Sequence, residues 1–137
     1  MTTHETATLS MTIDAPPNQV SEDLADAGSH PEWATEFFSG EADDRGDGTW
    51  LMTAPRMGGP VLFRIDGDTS LGIIDMYLAP EGAPFGPPLP VRVVPNGDGA
   101  DVLFTLARFP GQSDEEWNEG LESMRRELLN LKSRHEK

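Results

Sequence analysis

The stretch Thr6 to Trp33, TATLSMTIDAPPNQVSEDLADAGSHPEW, decides the architecture. Its opening residues alternate: Ala7, Leu9, Met11 and Ile13 are apolar, and Thr6, Thr8, Ser10 and Thr12 carry hydroxyls. A period of two with β-branched residues reads as a half-buried strand. Asp14-Ala15-Pro16-Pro17 stops that strand, because proline cannot donate to a ladder but can open a helix. Val20 and Leu24 then fall four apart, which predicts a short helix ending near Gly28. A second short helical segment is expected at Pro31 to Phe38, with Ser29 or His30 near its cap and Trp33, Phe37 and Phe38 as its apolar residues.

Beyond Phe38 the chain is broken at short intervals by Gly, Pro, Asn or Asp as far as Arg108, the punctuation of an antiparallel meander. Strands are expected near Phe38 to Ala42, Thr49 to Ala54, Val61 to Asp66, Ser70 to Leu78, Pro90 to Val94 and Asp101 to Arg108. Asn96-Gly97-Asp98-Gly99 is the strongest hairpin signal, since Asn and Gly tolerate positive φ. Pro80 to Pro90 holds five prolines and two glycines, so this segment reads as a loop and not as an interior strand. The last element is the clearest. Ser113 with Glu116 forms a capping box, and Trp117, Leu121, Met124, Leu128 and Leu131 repeat at four and three along an amphipathic helix. Acidic residues at its start and basic ones towards its end suit the helix dipole. A sheet that needs cover makes packing on the sheet the preferred reading over a coiled-coil dimer.

Composition bounds the function. The chain has 137 residues, no cysteine, and ten Lys plus Arg against 24 Asp plus Glu, for a net charge of -14. One domain spanning 1–137 is the expectation at this length. Without cysteine there is no disulfide, thiolate metal site, Fe–S cluster or thiol nucleophile. The scarcity of clustered Lys and Arg argues against nucleic acid and anionic membrane surfaces as partners. Met1 to Thr8 lacks the basic and apolar regions of a signal peptide, and no apolar run is long enough to insert in a membrane. A cytoplasmic location, as a monomer or homodimer, is the expectation.

Strand, two short helices, a six-stranded antiparallel run and one long C-terminal helix is an order similar to the helix-grip α+β fold of the START-like superfamily, the Bet v 1 and polyketide cyclase relatives. Ile13-Asp14-Ala15-Pro16-Pro17, then Val20, Leu24 and Asp26, then His30-Pro31-Glu32-Trp33, resembles that superfamily's opening pattern. Trp117, Leu121, Met124, Leu128 and Leu131 resemble its closing helix. Ser21 departs from the pattern, because many members carry a large aromatic there. The resemblance implies a curved antiparallel sheet of about seven strands gripping the long helix, with an apolar cavity for a hydrophobic ligand between them. Side chains either fill such a gap or leave a pocket. Relatives include lipid and hormone carriers, polyketide cyclases and dehydratases, and activators of a chaperone ATPase, so fold alone does not choose among functions.

Catalytic signals are sparse. Of three histidines, His4 and His135 sit in stretches that read as frayed termini, and His30 reads as a helix cap or a residue at a cavity mouth. No His pair has metal spacing, no nucleophile elbow or phosphate-binding glycine loop occurs, and no metal or cofactor is expected. The remaining candidates are polar residues inside strands: Arg64, Asp66, Asp75, Tyr77 and Arg92. Asp75 and Tyr77 share parity with Leu71 and Ile73, and the opposite face, Gly72, Ile74, Met76 and Leu78, is wholly apolar apart from its glycine. Parity alone does not choose which face lines the cavity. One reading has Arg64, Asp75 and Arg92 forming cross-strand pairs on the outer face. The other has Tyr77 and Arg92, with Arg64 or Asp75, orienting the polar group of a ligand bounded by Trp33, Phe63, Phe104 and Trp117. The functional expectation is a binder of a small hydrophobic or amphipathic molecule. The alternatives are a cyclase- or dehydratase-like enzyme, or an interaction module resembling the chaperone-ATPase activators.

Overall fold

The structure is a computed structural model that describes residues 3–137. Residues 1–2, which begin the stretch read above as no signal peptide, lie outside the described residues. The chain runs through β1 (Thr6–Ile13), α1 (Pro17–Ala25), a 3-10 helix (Ala27–Glu32), β2 (Ser39–Asp44), β3 (Trp50–Ala54), β4 (Gly59–Asp68), β5 (Ile73–Pro80), β6 (Leu89–Asn96), β7 (Gly99–Ala107) and α2 (Asp114–His135). The seven strands form one antiparallel sheet in the order β1-β7-β6-β5-β4-β3-β2. β2 to β7 are a meander of successive neighbours, and β1 adds to its far end, pairing from Thr6 with Ala107 to Ile13 with Ala100. The long, amphipathic α2 completes the helix-grip arrangement.

Period-two patterning decides which face is buried. Val61 and Phe63 of β4, Ile74 and Met76 of β5, Val91 and Val93 of β6, and Val102 and Phe104 of β7 are all buried. On α2, Trp117, Leu121, Leu128 and Leu131 are buried in the same core. The expected capping box is present: the Glu116 amide donates to Ser113 Oγ at 3.1 Å, and the Ser113 amide to Glu116 Oε1 at 3.2 Å. The Asn96–Gly99 hairpin also forms, with Gly97 at φ 58°.

Three local expectations are corrected. The second helical segment lies at Ala27–Glu32, not Pro31 to Phe38, and α1 stops at Ala25. Asp26 separates the two helices, and its carboxylate accepts from the Gly28 amide at 3.2 Å, so the cap is Asp26 and not Ser29 or His30. Trp33 to Phe38 is left as a turn. The proline-rich loop is narrower than read: Pro80 is the last residue of β5 and pairs with Val61, and Pro90 pairs with Asp75 as the second residue of β6. Proline is tolerated at strand ends, and only 81–88 is loop. The C-terminus is clasped, not frayed. His135 Nε2 lies 2.7 Å from Asp23 Oδ2, and the Arg134 guanidinium donates to both Asp23 oxygens at 2.9 and 3.2 Å. Burial alone would raise the Asp23 carboxyl, but the hydrogen bonds from Arg134 and His135 hold it below the usual carboxylate range. Lys132 Nζ donates to the Thr12 carbonyl at 2.9 Å, and the Asp14 amide donates to Glu136 at 2.8 Å. The end of α2 thereby binds both α1 and the end of β1.

Candidate ligand-binding site

The interior between sheet and α2 is built around one turn of chain. Because Pro31 and the 3-10 helix end at Glu32, Trp33 is delivered inward, its amide donating to the His30 carbonyl at 3.1 Å. His30 and Trp33 rings lie 5.0 Å apart, His30 and Phe63 5.0 Å, Phe38 and Phe63 5.3 Å, and Trp33 and Phe104 6.3 Å edge-on. These are favourable aromatic separations. Trp33, only 1% exposed, has an indole Nε1–H with no hydrogen-bond partner among the described residues. A buried donor left unmatched costs about 1–3 kcal/mol, so its surroundings call for an acceptor.

Two ionisable groups enter this region, and both are tied. His30 Nε2 lies 2.7 Å from the Leu24 carbonyl, which can only accept, so Nε2 carries the proton. Burial pushes the imidazole down to about 4, against the lift from that hydrogen bond, and leaves it neutral at pH 7. Glu127, 4% exposed on α2, accepts from the Glu36 and Phe37 amides at 3.0 Å each. Burial pushes its carboxyl above the ordinary value, against those two amides. Around it Ser123 donates to Glu36 at 2.9 Å, Arg126 grips both Glu36 oxygens at 2.7 Å, and Asn130 donates to the Trp33 carbonyl at 3.1 Å. The Arg126 and Ser123 hydrogen bonds hold the Glu36 carboxyl down at about 2. The turn carrying Trp33, Phe37 and Phe38 is thus fastened to α2 by polar contacts.

The sheet divides the residues singled out from sequence. Trp33, Phe63, Phe104 and Trp117 come together in one buried core cluster. Arg64, Asp75, Tyr77 and Arg92 lie on the other face of the sheet: Arg64 is directly opposite Tyr77, and Arg92 Nη1 donates to Asp75 at 2.8 Å. The sheet therefore separates the two sets. Two clefts open elsewhere, one of about 410 Å³ beside the 3-10 helix and β2, the other of about 480 Å³ between the start of α1 and the turn 69–72. Sequence reasoning placed His30 at a cap or a cavity mouth and missed Glu127 and Ser123. Glu127 was findable, because it falls three residues after Met124 and four before Leu131, on the stripe's own side of α2.

No known family model matches the sequence, and no curated protein is similar to it. Solved structures do match. An uncharacterised protein from Bacillus thuringiensis superposes with a TM-score of 0.72 at 17% identity, over 96% of this chain and 98% of that one. The allergen Ara h 8.0201 gives 0.66 at 14% identity, over 96% and 97%. The ZhuI aromatase/cyclase from Streptomyces sp. R1128 gives 0.66 at 16%, over 97% and 94%. These likenesses show the fold, a helix-grip α+β fold.

Proposed function

We propose, from the START-like fold the chain shares with these structures, that it takes up a small hydrophobic or amphipathic molecule between the curved sheet and α2. The observation that carries this reading is the Trp33 indole N–H, held without an acceptor inside a cluster of aromatic side chains. A ligand with an apolar body and one carbonyl or hydroxyl oxygen would match both features. Trp33, Phe63, Phe104 and Trp117 would be its apolar walls, and entry would require the Trp33–Phe38 turn to lift from α2. A cyclase-like enzyme is the second reading, favoured by His30, whose Nε2–H is committed to Leu24 and leaves Nδ1 as the ring's acceptor. A base titrating near 4 is weak at neutral pH, so binding is better supported than proton transfer. The cytoplasm is the proposed location.

Mass spectrometry of the protein under native and then denaturing conditions tests this. The expected result is an apolar companion released on unfolding, or saturable quenching of tryptophan emission by the uncharged probe Nile red. Trp33→Phe keeps an apolar wall but removes the N–H, so affinity for a ligand with an acceptor oxygen should fall about tenfold, one hydrogen bond's worth. A folded protein that carries no companion and binds no probe overturns the reading.

A further inference from the structure

The outer face of the sheet holds a second arrangement, independent of the interior. Arg64 projects from β4 with its guanidinium carbon 4.6 Å from the centre of the Tyr77 ring and 5.3 Å from that of Phe85. Those two rings meet edge-on at 6.0 Å. Tyr77 belongs to β5, whereas Phe85 belongs to loop 81–88, which folds onto the sheet where β5 runs on past the end of its pairing with β6 at Met76 and Leu89. Glu81, at the start of the loop, is held by Arg45 at 3.4 Å.

Arg64 stands apart in its chemistry. Among the described residues, seven of the eight arginines form ion pairs with carboxylates, and Arg64 does not. Its Nε is buried without a hydrogen-bond partner among the described residues. This occurs in a chain with 24 acidic residues against ten basic ones. The neighbouring carboxylates are otherwise placed: Asp75 is taken by Arg92 and Glu81 by Arg45, and Asp66 lies across the ladder from Asp75. Rings against the guanidinium faces leave only its edge for hydrogen bonding, and that edge matches the planar fork of a carboxylate. The rings at the same time offer apolar surface to whatever carries the carboxylate.

We propose that Arg64, Tyr77 and Phe85 form an outer-face site for a small organic acid, in which a carboxylate takes the Arg64 edge and an aromatic body packs on Phe85 and Tyr77. The Arg64 edge supplies the charge, and the proline-containing loop supplies an adjustable wall.

The test follows the arginine Nε–H and backbone amide signals of 15N-labelled full-length protein at constant ionic strength, titrated with sodium benzoate, sodium acetate and sodium phosphate. Benzoate should shift the Arg64 Nε–H and the Phe85 amide saturably, and bind about tenfold more tightly than acetate, the worth of an aromatic contact beyond the charge. Arg64→Lys keeps the charge but loses the fork, and should abolish the saturable shift. Phe85→Ala lies in a loop and should weaken benzoate about tenfold without disturbing the other amides. Benzoate that moves Arg64 no more than the paired arginines, phosphate that competes as well as benzoate, or a Phe85→Ala variant that binds like the parent overturns the proposal. Tryptophan emission from Trp33 is not expected to respond to benzoate here, so this site can fail while the interior reading stands, and the reverse.

Discussion

A buried imidazole makes folding depend on pH. His30 titrates near 4 in the folded chain and at 6.5 when free. Between those values the unfolded chain binds a proton that the folded chain refuses, so stability rises with pH across this window. The full contribution is present above about pH 6.5 and drains towards pH 4, by on the order of 3 kcal/mol. Glu127 acts with the opposite sign. Its raised carboxyl costs stability at neutral pH, and protonation relieves that cost as the pH falls. Glu36, held at about 2, keeps its contribution until the pH drops through the range from 4.5 to 2. His30→Gln removes the titration but keeps a donor for the Leu24 carbonyl. Urea midpoints measured from pH 8 to pH 4 should fall below pH 6.5 in the parent and stay much flatter in the variant. Parallel profiles would show that the window belongs to other groups.

At the scale of elements, one glycine shows how closely the turns are fitted. Gly72 leaves the 3-10 turn at φ 68°, and its carbonyl accepts from the Val93 amide at 2.9 Å. A Cβ placed there would stand 2.0 Å from the Val93 carbonyl oxygen, whereas at Gly82, φ 89°, nothing lies within 4 Å. Gly82→Ala should therefore cost only the left-handed backbone penalty of about 1 kcal/mol, and Gly72→Ala several times that, because the β5–β6 ladder must also shift. Chemical denaturation of the two variants compares them directly, and equal losses would mean that the clash is absorbed. The elements themselves were largely legible. β1 and α2 carry unbroken periods of two and 3.6, and their ends are marked by Pro16-Pro17 and Ser113. The Ala27–Glu32 helix was misplaced because Asp26 caps it through a local carboxylate bond that hydrophobic spacing does not report. The interior was half legible: Trp33, Phe63, Phe104 and Trp117 are apolar and face inward, but which face of β4 and β5 is inner depends on the register of the whole sheet. No property of Arg64 or Tyr77 alone announces it.

For the whole molecule, charge opposes compaction. With 24 acidic residues against ten basic ones, the net charge of -14 leaves many carboxylates with no cation to pair with. Self-repulsion of that size weakens the folded state, and salt screens it. Thermal midpoints should rise from low ionic strength to about 0.5 M sodium chloride, where exposed charges more than roughly 4 to 5 Å apart are screened. A midpoint that falls would mean that the ion pairs of α2, chiefly Arg134 with Asp23 and Arg126 with Glu36, outweigh the repulsion. The pairing of β1 with β7 has a different consequence, one of timing. Of the seven strands, β1 is made before the other six and has its sheet partner in β7, Gly99–Ala107, made after them, and the clasp on Asp14 and Asp23 waits for residues still later. Joining β1 to β7 therefore closes a long loop of chain, and the entropy of closing it is spent before those contacts repay it. Until β7 has been made, Leu9 and Ile13 travel on the nascent chain without their sheet partners Phe104 and Ala100.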